Sequence, residues 1–497
     1  MQKRLMMWVK SHRVAIMTCP YVIYILINWT ISIRMHDLDS DFTIMAEVAR
    51  RVANGAVLYV DAIDQKGPAV YYIWAMLWHV VKSYTQMYAI ICTIKTACEI
   101  ASAWLIAKIL DEHDQPISAA LLLTAMLCGY AFDTGPATME LRALALAMWC
   151  ALMTTRTVRG KTQPSWMWLL LGIGIGYILC SKWPCCIAFV ACLAWGIAKS
   201  DTKAFARPLA LSLTGCAVVT AICAVMLVRD GSWQGFIEHS VRASDMTYIT
   251  NIISKSIIGM TGLHVFKLPI IVMGILSVAR PAATMVKERS LAHMALAIVN
   301  LATLLLGAIA LLIGYYDLNL IAPIVLALAD TDLDQRLRER GQDAALMTAS
   351  VIIVWFLATS SLMTYSNLAY MKQDDIIRAE YDDIYAITGD DTSITSDYFG
   401  ALPILARKGL TTPYAMPLPN NVKGSASQVE RDLRQARWHY LLKYDIGKTN
   451  DAKAGDTKEM FGQTWTCRYR GKTTNLMLWE LDADTHDTLE CARIDAV

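Results

Sequence analysis

Long apolar runs separated by short polar segments are the feature that most constrains this chain. The 497 residues are 55% hydrophobic and 18% charged, whereas soluble domains carry about 25% charged residues. A helical bilayer crossing needs about 20 apolar residues, and about eleven runs are candidates on this criterion. These runs lie near 14–33, 86–110, 117–132, 138–154, 166–180, 184–198, 208–228, 268–280, 292–313, 318–330 and 344–363. The pattern predicts a polytopic α-helical membrane protein.

Basic residues between the runs indicate an orientation. Cytoplasmic loops of membrane proteins are enriched in Lys and Arg. The alternate segments are 1–13, 111–116, 155–165, 199–207, 281–291 and 331–343, and basic residues gather in all of them except the acidic segment 111–116. We therefore expect a multi-pass protein of the plasma membrane with a cytoplasmic N-terminus and an uncleaved first span. The net charge of +2 provides no basic field for nucleic acid, so no nucleic-acid partner is expected.

The C-terminal part of the chain has a different pattern. We predict a transmembrane domain over 1–365, with a first outer loop at 34–85, and a small extracytoplasmic α/β domain over 366–497. Apolar and polar residues alternate in DDIYAI, HYLLKYD and NLMLWEL, which predicts strands, and SASQVERDLRQARWHY has a helical pattern. Cys467 and Cys491 follow the last run, and they could form a disulfide if this region is exported.

Acidic residues open the first outer loop. Asp37, Asp39 and Asp41 alternate along the chain, so an extended strand would place all three on one side. Asp39 or Ser40 would equally serve as the N-cap of a helix, and both readings stay open. Three carboxylates could also hold a divalent cation, but a nearby lysine makes a metal less necessary, and we favour no cofactor.

An amphipathic helix is predicted directly after these acids. Phe42, Met45, Val48 (or Ala49) and Val52 share one face at helical spacing. The sequence Asn54-Gly55 ends the pattern. The charged residues Glu47, Arg50 and Arg51 are expected away from the apolar face.

A second short helix is predicted after Lys66. Residues 69–82 are apolar but too few to cross a bilayer. Their tryptophans and tyrosines suit the headgroup region, which predicts a helix lying in the outer interface. Pro68 fits the first helical turn. Lys66 would then face lipid phosphates, although it could equally snorkel toward the headgroups.

Several motifs follow one another in a recognisable order. The first loop contains DSDF at 39–42, GAVLY at 55–59 and DQKGPAVYYIW at 64–74. Later stretches are FDTGPATMELRALAL at 132–146, LGIGIGYILCSKWP at 171–184 and YYDLNLIAPIVLALA at 315–329. Their order and spacing resemble the bacterial GT-C glycosyltransferases of the protein O-mannosyltransferase and aminoarabinose transferase type, in glycosyltransferase family 39. Gly67 stands where many of those enzymes have proline, and Tyr316-Asp317 stands where many have His-Tyr.

The resemblance implies a GT-C fold and transfer of a sugar from a polyprenyl-phosphate donor. Polyprenyl phosphate is a good leaving group, so a cation that stabilises its charge suffices, while one carboxylate base accepts the proton of the attacking hydroxyl. A single displacement of this kind inverts the anomeric carbon. The matching motifs of those enzymes imply that Asp39 is the base and Lys66 the phosphate ligand. Further candidates are Lys182 and Tyr316 on the phosphate side, and Asp41, Asp64 and Glu140 for the sugar or the acceptor.

Alternatives remain at the level of the sequence. Lys182 could snorkel out of its span, and Glu140 could cap a helix that begins near Ala137. A transporter or flippase of lipid-linked sugars would need ionisable residues inside the spans, where Lys95 and Glu99 are the main ones. A non-catalytic scaffold that presents the C-terminal domain is a third interpretation. For the enzyme, the expected acceptor is an envelope glycan, lipid or protein.

Overall fold

The computed structural model describes most of the helical part of the chain and segments of the C-terminal part. The described residues are 12–33, 40–130, 139–200, 202–241, 268–313, 316–339, 378–391, 394–396, 434, 438–444, 453–471 and 476–482. The predicted span at 344–363 lies outside them, as do Asp37, Asp39 and Cys491.

Helices dominate the described residues before position 340. They are α1 (Arg13–Ser32), α2 (Ser40–Ala53), α3 (Pro68–Trp78), α4 (Tyr84–Glu112), α5 (Pro116–Tyr130), α6 (Met139–Val158), α7 (Ser165–Lys182), α8 (Ile187–Lys199), α9 (Thr202–Arg229), α10 (Leu268–Glu288), α11 (Leu291–Ile313), α12 (Ile321–Ala329) and α13 (Leu333–Glu339). Five described stretches are long and apolar enough to cross a membrane: Arg13–Ser32, Tyr84–Glu112, Ser165–Lys199, Lys203–Arg229 and Pro269–Glu288. Shorter apolar helices occur at Pro116–Leu127, Leu291–Gly307 and Leu318–Ala329.

The apolar stretch Ser165–Lys199 consists of two helices that run in opposite directions. A 3₁₀ turn at Trp183–Cys186 separates α7 from α8. The contacts with α6 are Leu146–Gly174 and Glu140–Lys182 for α7, and Ala147–Cys192 and Thr154–Gly196 for α8. Along α6 the residue numbers increase while those of the contacting α7 residues decrease, so α7 runs antiparallel to α6. The numbers of the contacting α8 residues increase, so α8 runs parallel to α6. This return of the chain agrees with the two separate runs predicted at 166–180 and 184–198.

The chain divides into two compact units. Unit 1 comprises Met1–Ile33, Ala89–Val225 and Ile249–Asn367, and unit 2 comprises Arg34–Tyr88, Met226–Tyr248 and Leu368–Val497. The first outer loop thus falls in unit 2, whereas the sequence groups it with the transmembrane domain. The domain boundaries read from the sequence stay a prediction.

The segment predicted as the first outer loop forms the two predicted helices. Helix α2 buries the predicted apolar residues Phe42, Met45, Val48 and Ala49, while Val52 is half-buried. Thr43, Ile44, Ala46 and Glu47 are also buried, so the burial extends around the helix beyond the predicted apolar face. It ends at Asn54-Gly55, where Gly55 has a φ of +95°, a left-handed conformation that costs glycine little. Helix α3 starts at Pro68 with Gly67 as its N-cap.

The described C-terminal residues contain a helix, α14 (residues 378–388), and a five-stranded sheet. The strands are β1 (Ile394–Ser396), β2 (Tyr440–Tyr444), β3 (Thr457–Met460), β4 (Gln463–Arg470) and β5 (Leu476–Leu481), in the order β1-β2-β5-β4-β3. The pair β1–β2 is parallel and the others are antiparallel. The core of the sheet consists of Trp438, Leu441, Trp465, Cys467, Met477, Trp479 and Leu481.

Two of the three strand predictions in this region are confirmed. HYLLKYD contains β2 and NLMLWEL contains β5. The strand predicted for DDIYAI is wrong, because these residues lie within α14. Tyr381, Ile384 and Thr388 are buried, and their spacing of three and four residues is that of one helical face. The predicted helix at 425–440 falls mostly outside the described residues, and its last residue, Tyr440, begins β2.

Candidate functional site

Lys66 is held at both its side chain and its backbone. Its Nζ lies 3.7 Å from Oδ2 of Asp64, and its carbonyl accepts a hydrogen bond of 2.6 Å from Oη of Tyr59. Helix α3 begins two residues later, at Pro68. The lysine therefore occupies a fixed position immediately before the short helix.

Asp64 is the centre of this arrangement. Its side chain is 1% exposed. Oδ1 accepts a hydrogen bond of 2.7 Å from the backbone N–H of Gln65, and Oδ2 accepts one from Oη of Tyr71. Burial, together with the nearby Asp64, raises the pKa of Tyr71 well above its ordinary value, so the phenol keeps the proton that it donates. Both carboxylate oxygens thus have partners within the protein.

Tyr59 has an unusual backbone conformation. Its φ is +64°, which non-glycine residues adopt infrequently. Its ring packs on Phe236 with 5.6 Å between the ring centroids. A Cβ at Gly235 would lie 2.5 Å from the Tyr59 carbonyl oxygen. Close packing of the 233–236 helical turn therefore supports the residue that holds Lys66.

Hydrogen bonds from Trp78 and Tyr84 link α2 to the end of α3 and to the start of α4. Glu47 is fully buried, and Arg50 donates two hydrogen bonds of 2.8 Å to its carboxylate. Tyr84 donates a further hydrogen bond to Glu47. The indole N–H of Trp78 donates to the carbonyl of Ala46 at 2.8 Å. Glu47, expected on the polar face, is thus an internal brace, because Arg50 and Tyr84 satisfy its charge.

The acids predicted before α2 are only partly described. Asp41 is exposed in the first turn of α2, and its charge contributes to the raised pKa of Tyr71. The predicted base, Asp39, lies outside the described residues. Its assignment stays a prediction.

Lys182 and Glu140 form an ion pair in unit 1. The Nζ of Lys182, at the end of α7, lies 2.5 Å from Oε1 of Glu140 in the first turn of α6. The second oxygen of Glu140 and the hydroxyl of Ser181 are buried without a hydrogen-bond partner among the described residues. The sequence indicated each charged residue separately but not their pairing.

Tyr316 begins a 3₁₀ turn, Tyr316–Leu320, that precedes α12. Its side chain lies outside the described part of the structure. Within the same turn Asn319 is buried. The role of Tyr316 beside a donor phosphate therefore stays a prediction.

Lys95 and Glu99 are both buried and lie 4.0 Å apart on successive turns of α4. The two side chains therefore pair with each other within one helix. Among the described residues, no group of three or more His, Cys, Asp or Glu side chains is arranged to hold a metal ion.

The sequence did not predict the two tyrosines that hold the Lys66 segment. Tyr59 and Tyr71 hydrogen-bond to the Lys66 segment, but their sequence context indicated only a turn and an interfacial helix. Each tyrosine is seven residues from its partner. This spacing predicts a contact only when the geometry of the intervening turn is already known.

Comparisons with known proteins find similar solved structures, and two of them are described here. No protein-family model and no curated protein matches the chain. An oligosaccharyltransferase from Archaeoglobus fulgidus, solved with Zn and sulfate, is similar at 12% identity with a TM-score of 0.43, over 85% of this chain and 68% of that chain. The arabinofuranosyltransferase AftD from mycobacteria is similar at 14% identity with a TM-score of 0.48, over 92% of this chain. This chain spans 41% of the length of AftD.

Proposed function

We propose that this chain is a membrane-embedded GT-C glycosyltransferase that moves a sugar from a polyprenyl-phosphate donor to a glycan, lipid or protein of the cell envelope. The reaction takes place on the outer face of the plasma membrane. One observation carries the proposal: Lys66 is fixed by Asp64 and Tyr59 immediately before a short aromatic helix, in a loop whose motifs resemble those enzymes.

Lys66 is suited to a leaving phosphate. The separation of 3.7 Å between Lys66 and Asp64 exceeds the 2.7–2.9 Å that is usual for a charge-assisted hydrogen bond. An ammonium carries three N–H donors, and the nearby carboxylate of Asp64 limits where this one can move. A preorganised cation of this kind stabilises the charge that develops on the leaving group.

Asp39 is the proposed base. It directly precedes α2 in the sequence, and it accepts the proton of the acceptor hydroxyl as that oxygen attacks the anomeric carbon. Because the same displacement expels polyprenyl phosphate, the product has the inverted configuration. Asp41 lies two residues further on, and its predicted contact with sugar or acceptor belongs to the same proposal.

Glu140 and Lys182 are proposed to form a second binding element. Lys182 neutralises one oxygen of Glu140, and the other oxygen can accept a hydrogen bond from a sugar or acceptor hydroxyl. In this arrangement Lys182 acts mainly through Glu140, whereas the sequence had suggested direct contact with phosphate. Asp64, also expected at the sugar or acceptor, acts here by positioning Lys66.

Transfer assays with the full-length protein in lipid nanodiscs test the proposal. With a polyprenyl-phosphate sugar and envelope acceptors, Asp39→Asn should lower transfer by about 10²–10⁴-fold, the usual contribution of a general base. Lys66→Gln should impair use of the donor, while Lys82→Gln, an exposed lysine beyond the other end of α3, should leave transfer unchanged. Full activity of Asp39→Asn would contradict the assignment of the base.

The alternative function is movement of a lipid-linked sugar across the membrane. The buried pair Lys95–Glu99 within α4 supports it, because charged residues inside membrane spans often mark transport pathways. Transbilayer movement of the donor without formation of a glycoside, lost in Lys95→Met, would favour the transporter. Glycoside formation that persists in Lys95→Met would favour the enzyme.

A further inference from the structure

Unit 1 contains a cleft at the end of α8 that lies away from Glu140 and Lys182. Helices α8, α10, α11 and α12 line it, and it is partly open to solvent. None of the proposed transfer residues lines it.

The mouth of the cleft is cationic. Lys199 lies 3.0 Å from Oδ2 of Asp330, and the indole N–H of Trp195 donates to the same oxygen at 3.1 Å. Arg280 donates to the carbonyls of Ala327 and Asp330. These bonds use two of its five guanidinium N–H groups, and Arg280 has no other partner among the described residues. The cluster has an excess of one positive charge and spare donors.

The floor of the cleft is polar because a proline interrupts α10. Pro281 has no N–H, so the carbonyl of Ser277 lacks its usual helical donor, and Nδ2 of Asn300 supplies one at 2.7 Å. This bond fixes the orientation of the amide, since a carbonyl can only accept. Oδ1 of Asn300 is then buried without a partner among the described residues. A buried acceptor of this kind favours a ligand with a hydroxyl group.

We propose that this cleft binds a phosphate ester that carries a hydroxyl group. The phosphate lies between Lys199 and Arg280, the hydroxyl donates to Oδ1 of Asn300, and Trp195 and Leu296 provide apolar walls. Basic pockets between membrane helices are a known setting for such groups. The same chemistry occurs in soluble polyol or sugar phosphates and in the headgroup of phosphatidylglycerol.

Calorimetric titration of the full-length protein in phosphatidylcholine nanodiscs tests whether the cleft binds a soluble phosphate ester. Glycerol phosphate should bind saturably and more tightly than inorganic phosphate. Lys199→Gln should weaken it about tenfold or more, as expected for loss of a charge-assisted hydrogen bond, while Lys203→Gln, outside the cleft lining, should not. Asn300→Ala should weaken glycerol phosphate but leave inorganic phosphate unchanged, which also reports that the site is still folded.

Mixed nanodiscs of phosphatidylglycerol and phosphatidylcholine test the lipid source. Native mass spectrometry should then show retained phosphatidylglycerol that is lost in Lys199→Gln but kept in Lys203→Gln. Either source supports the proposal. Absence of saturable binding in both experiments would overturn it, as would equal losses in the two lysine variants. Equal affinity for inorganic and glycerol phosphate would overturn the hydroxyl contact.

Discussion

Lys182 and Glu140 lie 2.5 Å apart but differ in their exposure to solvent. The side chain of Lys182 is 27% exposed, whereas that of Glu140 is 2% exposed. An ammonium that reaches water can be solvated when its partner is removed, but a buried carboxylate cannot. Removing the lysine should therefore cost more stability than removing the charge of the glutamate.

We predict that Lys182→Met destabilises the protein more than Glu140→Gln. The lysine variant leaves a buried charge uncompensated, at a cost below the roughly 3–5 kcal/mol of a fully buried pair. The glutamine variant leaves a partly exposed lysine and should cost within about 1 kcal/mol. Thermal unfolding of the protein in detergent measures both. The double variant should be more stable than Lys182→Met alone, and additive losses would contradict the pairing.

The hydrogen bond from Tyr71 to Asp64 should contribute to the stability of the first loop. Tyr71→Phe removes a donor from a carboxylate that is 1% exposed, which should cost about 1.5–3 kcal/mol. The loss should shrink in an Asp64→Ala background, because the acceptor is then absent. Hydrogen exchange of the loop amides measures this loss of stability locally. Unchanged protection in Tyr71→Phe would contradict a stabilising role of the hydrogen bond.

Helix positions in this chain could be predicted from its sequence because their causes are local. Pro68 suits a first turn, and the apolar face of α2 repeats at helical spacing. Long-range partners could not be predicted in this way. Lys182 and Glu140 are 42 residues apart in sequence, and only the return of α7 along α6 brings them together.

Two misread segments have physical explanations. In DDIYAI the alternation resembles a strand, but the residues flanking it extend a helical face through Tyr381, Ile384 and Thr388. Glu47 resembles a surface residue on α2, yet Arg50 one turn later and Tyr84, 37 residues away, satisfy its charge. In each case the short window from which the pattern was read left out a decisive residue: Tyr381 and Thr388 beside DDIYAI, and Tyr84 for Glu47.

Gly235 should be sensitive to the smallest substitution. A Cβ there would lie 2.5 Å from the Tyr59 carbonyl oxygen and 3.0 Å from the Tyr59 Cβ. Gly235→Ala should therefore displace Tyr59 and loosen its bond to Lys66, at a cost of about 1–3 kcal/mol, as for other overpacked sites. If Lys66 binds the donor, the donor KM should rise. The exposed neighbour Gln234→Ala is the control, and equal effects of the two variants would rule out this explanation.

His113 should make stability depend on pH. It lies in the turn after α4, where Nδ1 is 3.1 Å from the carbonyl of Ala329. Burial, with Arg159 nearby, lowers its pKa below the ordinary 6.5, while Asp330, Glu112 and the bond to Ala329 oppose this change. The neutral imidazole is thus favoured in the folded state. Below pH 6.5 the unfolded chain binds more protons at this residue than the folded chain.

The resulting stabilisation is complete above pH 6.5 and decreases as the pH falls from 6.5 through the lowered pKa. His113→Gln removes this contribution, so its unfolding temperature should fall less between pH 7.5 and pH 5.5 than that of the unchanged protein. His79→Gln, at an exposed histidine, should retain the original dependence. Parallel pH profiles for His113→Gln and the unchanged protein would mean that His113 takes up protons equally in the folded and unfolded states.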